Sequence, residues 1–500
     1  MKKAYKKETS LRGIILLKSE LQKIQSKEEI QMKLGKKLLA AVLLLSLLMA
    51  ASGCGKTGDG GSANPNGSDS EKTKDVITVW TSEGHSKTVI EKLIKDFNSG
   101  VGAEKGIEIQ YEVKTDISKL VELGAATGDL PDIFSGGNMS QLAEDGVIIA
   151  LEDIEGGEKL VDKYRDYLLV NTHTYKGKTY KLPFSATLHG LLYNKDMFKA
   201  AGLVDKNGEP TPPKTYAELR EYAKILTNES KQEYGLVVPI GWGVNSFLDS
   251  VVPMARVSTG LQNGYNPKTG EYDFTSMNAA VQTLLDIKHD GSIVPGADGM
   301  DNDTARARFA AGGIGMKFGY SFDVGVLTDQ FPAEIDWGVA PIPSENENDL
   351  YKQPYNLGFF AAINSKAVER VGAEKILTVY EFLHSDEFLK ELYQEGMYIP
   401  YKAEIAESAT YNGDKKGWAE FTEMLSISDK NLPTMPYQTS PDLKLPAECW
   451  VEDIWSEKVS YDQFAKDVTK RVNESVAEYQ SAYPDEDYSI YINADYNSKR

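Results

Sequence analysis

The chain of 500 residues carries 55 Lys and Arg against 74 Asp and Glu, which gives a formal net charge of −19. A surface this acidic repels phosphates, so the composition argues against nucleic-acid binding and against contact with anionic lipid except through an anchor. The two cysteines, Cys54 and Cys449, are not expected to form an intramolecular disulfide, so a hydrophobic core must stabilise the fold. The length predicts two or three domains.

The first feature along the chain is an apolar run at residues 38–51, preceded by lysines and followed by small residues. This run is shorter than the roughly 20 residues that a transmembrane helix needs. A basic segment, an apolar segment and a small-residue cleavage site predict a secretory signal at residues 32–53. We predict that Met32 is the true start and that residues 1–31 are an upstream extension. A long basic segment before the signal is the alternative.

Cys54 follows the signal in the position of a lipid-modified cysteine. The triplet Ala51-Ser52-Gly53 before it resembles the lipobox of bacterial lipoproteins, although Ala51 departs from the usual Leu. After the cysteine, the composition of residues 55–74 is too polar to fold, so we predict a tether at residues 54–74 that reaches roughly 25 Å. The sequence therefore predicts a protein anchored by lipid to the extracytoplasmic face of a bacterial membrane. Ordinary secretion without lipidation is the alternative.

The net charge differs in sign between the N-terminal 53 residues and the remainder of the chain. Residues 1–53 carry eleven Lys and Arg and four Glu, which leaves −26 for the remainder of the chain. The remainder also contains no second apolar run of membrane-spanning length. The acidic charge is thus concentrated on the soluble body.

The body begins with short apolar strands that alternate with amphipathic helices. The predicted order is strand 76–80, helix 86–98, strand 107–113, helix 117–130, strand 131–137 and helix 139–146. This alternation implies a parallel sheet flanked by helices. Ligands bind such sheets at the carboxyl ends of the strands, so the loops at residues 81–85 and 136–138 are predicted to face a ligand.

The pattern then changes to longer strands and helices. Thr215 and Glu218 form a predicted capping box at the start of an amphipathic helix. The other predicted elements are a hairpin-like pair and helix at 175–198, a strand at 234–240, helices at 244–257 and 277–291 around a hairpin at 264–274, a helix and strand at 304–322, strands at 334–343 and 357–365, and a mostly helical segment at 373–481.

The order of these elements resembles a known family. The stretches that carry the resemblance are LPDIFSGG at 130–137, YKGKTYKLPFSATLHGLLYNKDMFKAAGL at 175–203, PPKTYAELREYAKIL at 212–226, ARFAAGGIGMKFGYSFD at 307–323 and LGFFAAINSKA at 357–367. In this order, behind a lipobox and tether, they resemble the extracellular solute-binding proteins of bacterial ATP-binding-cassette importers, in the sugar-type, maltose-binding-protein-like class. The resemblance covers nearly all of residues 75–500.

The resemblance implies an α/β fold of the periplasmic-binding-protein type (type II), with two lobes that close on a ligand about a hinge. The implied lobe 1 comprises residues 75–186 and 362–410, and lobe 2 comprises residues 187–361 and 411–500. The implied hinge residues are Phe184 and Thr187 in the first crossing and Phe360 and Asn364 in the second. A third crossing is expected near residues 408–415.

A carbohydrate presents hydroxyl groups at its edge and an apolar face, so aromatic rings and short polar side chains are the expected contacts. By position relative to the predicted strands and to the family, the candidate ligand-binding residues are Trp80, Glu83, Asn138, Trp242, Asn245, Tyr320, Phe322, Asp323, Tyr355, Asn356 and Trp450. Trp337, Trp418 and Trp455 are expected in the core. Each polar candidate can instead be a helix cap or a solvated loop residue.

Enzyme signatures are poor in this sequence. The five histidines show no HExxH motif or i,i+4 pair for zinc, and GYSFD lacks the final glycine of a nucleophile elbow. We therefore expect a monomeric receptor, not an enzyme, with no catalytic residue, cofactor or metal. Its implied partners are a carbohydrate ligand and the permease subunits of a transporter. Contact with the membrane is expected only through the lipid anchor, and no nucleic-acid partner is expected. A receptor of the same fold for a peptide or another polar solute is the alternative, followed by a secreted glycan-active hydrolase.

Overall fold

The computed structural model describes residues 74–84, 86–411 and 413–500, and these lie within one compact unit. The predicted signal segment, Cys54 and the tether lie outside the described residues. None of the helices in the described part of the chain combines the length and the hydropathy that crossing a bilayer requires.

The strands of the described residues form two main sheets and two short hairpins. In chain order the strands are β1 Asp75–Thr81, β2 Ile107–Val113, β3 Ile133–Phe134, β4 Thr174–Tyr175, β5 Lys178–Thr179, β6 Pro183–Asn194, β7 Tyr234–Val237, β8 Tyr265–Asn266, β9 Glu271–Tyr272, β10 Ile314–Tyr320, β11 Trp337–Ala340, β12 Gln353–Phe359, β13 Ala362–Ile363, β14 Ile399–Pro400 and β15 Ser428–Lys430.

The helices lie between and around these strands. They are α1 Lys87–Ser99, α2 Val101–Lys105, α3 Ile117–Thr127, α4 Met139–Glu144, α5 Gly157–Asp162, α6 Lys195–Ala200, α7 Tyr216–Leu226, α8 Val244–Thr259, α9 Asn278–His289, α10 Asn302–Ala310, α11 Asp323–Gly325, α12 Ser365–Val371, α13 Ala373–Leu383, α14 Asp386–Gln394, α15 Ala403–Glu407, α16 Trp418–Glu423 and α17 Tyr461–Ala482.

The first sheet has the strand order β13-β3-β1-β2, with β1 parallel to both β2 and β3. Strand β1 alternates, because Ile77, Val79 and Thr81 are buried on one face while the residues between them are half-buried. Helix α1 covers this sheet with Ile90, Ile94 and Phe97, whose spacing places them on one helical face. The predicted parallel sheet with flanking helices is therefore present in the first part of the body.

The second sheet is mixed and has the strand order β15-β12-β6-β10-β7. The long strand β6 is its centre, since β10, β11, β12 and β14 all pair antiparallel with it. Gly190 in β6 leaves room for a side chain of the neighbouring strand β11, because a Cβ atom there would lie 2.6 Å from Val339 Cγ1. The predicted capping box is also present, with the Thr215 side chain accepting from the Glu218 amide at the start of α7.

The chain passes between the two sheets where a single strand was predicted. Strand β12 ends at Phe359 in the second sheet, and β13 begins at Ala362 in the first sheet. The prediction of one strand over residues 357–365 is therefore wrong, because residues 360 and 361 connect two different sheets. Their side chains, Phe360 and Ala361, are fully buried at this connection.

The C-terminal segment departs from the predicted mostly helical structure. Residues 428–449 contain the short strand β15 followed by an irregular stretch. Prolines at 433, 436, 441 and 446 explain this, since each removes an amide donor and prevents a helix from continuing. Helices resume with α17, which packs on the second half of the body.

Candidate ligand-binding cavity

A cavity of about 760 Å³ lies between the loop after β1 and the central strands of the second sheet. Small-molecule sites have volumes of roughly 300–1,000 Å³, so this cavity has a suitable size. The lining residues are Glu83, Phe184, Ser185, Ala186, Thr187, Ser321, Phe322, Gly325, Val326, Asp329, Gln330, Gly358, Gly396, Met397, Tyr398, Ile399 and Lys415.

The pairing of three strands builds one wall of the cavity. In the register of the sheet, Ala186 of β6 pairs with Leu357 of β12 and with Ile399 of β14. The register of β12 shifts between residues 357 and 359, and Gly358 lies at this irregularity. A Cβ atom at Gly358 would lie 2.6 Å from Ser185 Oγ, so glycine permits the close approach of the two strands here.

Two stacked rings form the aromatic part of the cavity. Phe322 follows β10 and is 38% exposed, and its ring stacks on that of Tyr320 with centroids 5.0 Å apart. The Arg306 guanidinium lies 5.5 Å from the centroid of the Phe322 ring, within the range of a cation–π contact. The exposed ring of Phe322 is therefore held in place by packing, which suits a surface that meets the apolar face of a ligand.

Glu83 supplies a carboxylate on the opposite side. It lies in the loop directly after β1, and its Oε2 accepts a hydrogen bond from the Tyr398 hydroxyl. The ring of Tyr398 packs against Phe184 of β6 in a T-shaped contact with centroids 5.3 Å apart. Burial is the main reason that the pKa of Tyr398 is raised, so its hydroxyl keeps the proton that it donates.

A buried charge network lies beneath the aromatic pair. Asp323 is fully buried and forms an ion pair with Arg306 at 2.5 Å. It also accepts from the Tyr320 amide at 3.0 Å, and the Lys317 ammonium lies 3.9 Å away. Asp323 was predicted to contact the ligand, but the structure directs it into this network. It fixes the segment that carries Phe322 and does not line the cavity.

Asp249 of α8 faces the same network. Burial raises the pKa of Asp249 to about 7, while the positive charge of Lys317 and the Tyr320 hydroxyl act in the opposite direction. Burial likewise lowers the pKa of His189, whose ring lies against Tyr320, to about 4. No sequence pattern had indicated that Asp249 or His189 belongs to this cluster.

Two predicted tryptophans lie away from the cavity. Trp450 is fully buried and packs against Phe247 and Trp455, with centroids 5.3 and 5.4 Å apart. Trp450 and Trp455 are five residues apart in a π-helical turn, and this spacing places both on the same buried face. Trp80 packs against the apolar cluster under α3 and α4, and the Lys114 ammonium lies 4.4 Å above its ring.

The remaining residues that were predicted to contact the ligand also do not line the cavity. Asn138 caps α4 by accepting from the Gln141 amide, and Asn356 is exposed and accepts from the Asn431 amide nitrogen at 3.3 Å. Tyr355 is buried in β12. Trp242 is half-buried and Asn245 is exposed where the chain leaves β7 and enters α8. Of the predicted contacts, Glu83 and Phe322 line the cavity and Tyr320 supports Phe322.

Three of the four predicted hinge residues lie at the cavity or directly behind its wall. Phe184 and Thr187 line the cavity from β6. Phe360 is buried against Phe184, and Asn364 caps α12 while its amide donates to the Pro131 carbonyl at 3.1 Å. The hinge function of these residues and the lobe boundaries stay predictions.

Several lining residues were missed by the sequence analysis: Ser321, Val326, Asp329, Gln330, Met397, Tyr398 and Lys415. The stretch GMYIPY at residues 396–401 carried a usable signal, since a turn glycine followed by aromatic residues precedes a strand. Asp329 and Gln330 gave no such signal, because the π-helical turn Val326–Gln330 that presents them has no distinctive composition.

The cavity combines hydrogen-bond acceptors, hydroxyls and apolar rings. Asp329 and Glu83 contribute carboxylates, and Ser185, Thr187 and Ser321 contribute hydroxyls. Within the described ranges, no group of three or more His, Cys, Asp or Glu side chains is arranged to hold a metal ion. This arrangement can bind an uncharged ligand that has many hydroxyl groups and an apolar face.

Comparison with known sequences identifies related binding proteins. Residues 92–419 match the family described as bacterial extracellular solute-binding protein. The maltotriose-binding protein of Pyrococcus abyssi (strain GE5 / Orsay) is 24% identical over 317 residues, which cover 62% of this chain and 63% of that protein. The sn-glycerol-3-phosphate-binding periplasmic protein of Rhizobium meliloti (strain 1021) is 23% identical over 394 residues, covering 75% of this chain and 85% of that protein.

Comparison with solved structures gives the same fold. The GacH receptor of Streptomyces glaucescens GLA.O, solved unliganded and with acarbose, has a TM-score of 0.61 at 17% sequence identity. The match covers 83% of this chain and 100% of that one. The prediction of a two-lobed α/β fold of the periplasmic-binding-protein type is confirmed.

Proposed function

This chain belongs to the family of bacterial extracellular solute-binding proteins, and we propose that it captures a carbohydrate, in particular an oligosaccharide, for delivery to the permease of an ABC transporter. The observation that carries the proposal is the pairing of the exposed Phe322 ring with the Glu83 carboxylate in one cavity. A ring meets the apolar face of a sugar, and a carboxylate accepts from its hydroxyls.

Charge favours an uncharged ligand over a phosphate ester. Among the described residues of the lining, Lys415 is the one cation, and its ammonium donates to the carbonyls of Glu395 and Gly396 at 3.3 Å each. Glu83 and Asp329 are two carboxylates in the same lining. An anionic group would meet net repulsion here, which supports a sugar over sn-glycerol 3-phosphate, the ligand in the name of the Rhizobium relative.

Trp242 and Asn245 are retained as proposed contacts for a longer ligand. Strands β7 and β10 are parallel neighbours, so their carboxyl ends lie at the same edge of the sheet. Phe322 follows β10 and Trp242 follows β7 at that edge. An oligosaccharide that extends from the Phe322 ring along this edge would meet Trp242 next.

Hinge closure is the proposed mechanism of capture. The cavity is lined by the loop after the first-sheet strand β1 and by strands of the second sheet. A ligand that contacts both sides stabilises the closed form more than the open form. Closure then presents the two lobes in the relative position that the permease subunits recognise.

Lipid anchoring at Cys54 is the proposed link to the membrane, supported by the lipobox-like triplet and the polar tether that follows. Intact-mass spectrometry and membrane fractionation of the protein from a bacterial host test this point. Acylated Cys54 and release of a Cys54→Ser variant from the membrane are expected. An unmodified, soluble wild-type protein would contradict the anchor.

A thermal unfolding experiment tests the proposed ligand class. The purified full-length protein is heated with uncharged mono- and oligosaccharides, with sn-glycerol 3-phosphate and with short peptides. A ligand at 100 times its dissociation constant stabilises by about 2.7 kcal/mol, and an oligosaccharide is expected to do so. Stabilisation by a peptide alone would instead support a receptor for another solute, and consumption of the sugar would support a hydrolase.

A further inference from the structure

One hydrogen bond joins two segments that are far apart in sequence at the edge of the cavity. The Tyr398 hydroxyl donates to Glu83 Oε2, and the Ser86 hydroxyl donates to the Tyr398 oxygen over 3.4 Å. Tyr398 belongs to the stretch that leads into β14, whereas Glu83 and Ser86 belong to the segment between β1 and α1. Both Tyr398 and Glu83 line the cavity.

The ring of Tyr398 is itself fixed by the strands of the second sheet. It packs on Phe184 of β6, and the next two residues, Ile399 and Pro400, pair with Ala186 and Ser185. The position of the hydroxyl is therefore set by β6. Through that hydroxyl, the Glu83 carboxylate is placed relative to the same strand wall that the ligand contacts.

The Glu83 side chain needs such a restraint. Glu83 is half-buried and is followed by Gly84. Its backbone is held by two long contacts, since its amide donates to Thr81 Oγ1 at 3.3 Å and its carbonyl accepts from the Ser86 hydroxyl at 3.3 Å. A long side chain in a loop loses rotamer freedom when a ligand fixes it, and that loss weakens binding. A hydrogen bond that already fixes the side chain removes this cost, while a carboxylate keeps further lone pairs for ligand hydroxyls.

We propose that Tyr398 is a positioning residue that holds the Glu83 carboxylate in its ligand-accepting orientation. This inference rests on the proposed function for the ligand, but the hydrogen bond acts in the ligand-free protein as well. Tyr398 does not have to touch the sugar for its hydroxyl to affect binding.

The chain offers a matched control three residues away. Tyr401 is buried, at 2% exposure, whereas Tyr398 is half-buried, and the Tyr401 ring packs on Tyr167 with centroids 4.8 Å apart. Within the described residues its hydroxyl has no hydrogen-bond partner. Tyr398→Phe and Tyr401→Phe therefore each delete one tyrosine hydroxyl, and only Tyr398→Phe breaks the contact with Glu83.

The first test measures amide hydrogen exchange without ligand in the full-length protein. Tyr398→Phe is expected to raise exchange at the amides of Glu83 and Gly84 severalfold, and Tyr401→Phe is expected to leave it unchanged. Equal exchange in wild-type and Tyr398→Phe protein would overturn the proposal. This readout does not depend on which solute binds, so it remains decisive if the proposed ligand class fails.

The second test is a double-mutant cycle on affinity, using the oligosaccharide that best stabilises the wild-type protein. Tyr398→Phe is expected to weaken binding about tenfold, the scale of one charge-assisted hydrogen bond. In a Glu83→Ala background the same substitution is expected to change affinity less than about twofold, because it has no carboxylate left to position. An equal loss in both backgrounds would show that Tyr398 acts independently of Glu83 and would overturn the proposal.

Discussion

The ring of Phe184 in β6 packs against the ring of Phe360, directly after β12, with centroids 4.8 Å apart. Phe184 lines the cavity and Phe360 begins the connection to the first sheet. His384 and Phe388 pack around the same pair. This contact joins the cavity wall to the place where the chain changes sheets.

The first prediction concerns this pair. Phe360 is fully buried, so Phe360→Ala should lower the free energy of unfolding by about 3–5 kcal/mol through lost burial and a cavity. Phe360→Leu should cost less and preserve folding. If the pair serves the hinge, Phe360→Leu should also change the distance between labels on the two lobes with and without ligand, as measured by double electron–electron resonance. Unchanged label distances in both states would contradict a hinge role.

The second prediction concerns Phe322. Because its ring is exposed to the cavity and only partly buried, Phe322→Ala should reduce carbohydrate affinity roughly tenfold with little loss of stability. Calorimetric titration measures the affinity. Phe331→Ala is the matched control, since Phe331 follows the same π-helical turn but does not line the cavity. Equal affinities in the two variants would argue that the ring does not meet the ligand.

The third prediction concerns Trp242. If this residue lies along the path of a longer ligand, Trp242→Ala should weaken binding of a trisaccharide severalfold more than binding of a monosaccharide. Titration of both sugars into wild-type and variant protein measures the ratio. Trp450→Phe should leave that ratio unchanged, because Trp450 is buried in the core. An equal loss for short and long sugars would contradict an outer position for Trp242.

The fourth prediction concerns pH and Asp249. Its pKa is about 7 in the folded protein and 3.8 in the reference state, so between these values the folded protein holds a proton that the unfolded chain has lost. The contribution of Asp249 to stability therefore falls as pH rises through this range and is least favourable above about pH 7. Asp249→Asn should remove this dependence.

Urea unfolding of both proteins at pH 5 and pH 8 measures the effect. The stability of Asp249→Asn relative to the wild type should increase by about 2–3 kcal/mol between pH 5 and pH 8. Comparison with the wild type at each pH cancels the contributions of the buried histidines His173, His189 and His384, whose lowered pKa values act in the opposite direction. A difference that stays constant with pH would contradict a protonated Asp249 near neutrality.

Periodicity predicted many of the strands and helices because it reports which faces are buried, whereas the two-lobed fold was implied by the resemblance to the family. The alternating β1 and the spacing of Ile90, Ile94 and Phe97 in α1 each require one buried face, and the structure has both. The break between β12 and β13 was missed because Phe360 and Ala361 are apolar and buried like strand residues. A local pattern does not reveal that the two halves join different sheets.

The cavity was only partly predictable for a related reason. Glu83 and Phe322 directly follow strands, which is where a parallel sheet exposes its ligand-facing loops. The hydroxyl of Tyr398 contacts Glu83, which is 315 positions away in the sequence, so no short window of sequence contains both partners. Trp450 was misplaced because an exposed ring and a buried ring look alike in a sequence.

The most direct test of the central claim is a calorimetric titration of the full-length protein with an uncharged oligosaccharide, followed by recovery of the sugar. We predict saturable binding, no binding of sn-glycerol 3-phosphate at the same concentrations, and recovery of the sugar intact. Binding of the phosphate ester in preference to the sugar would contradict the assignment of the cavity to an uncharged carbohydrate, and recovery of a cleaved sugar would contradict a receptor function.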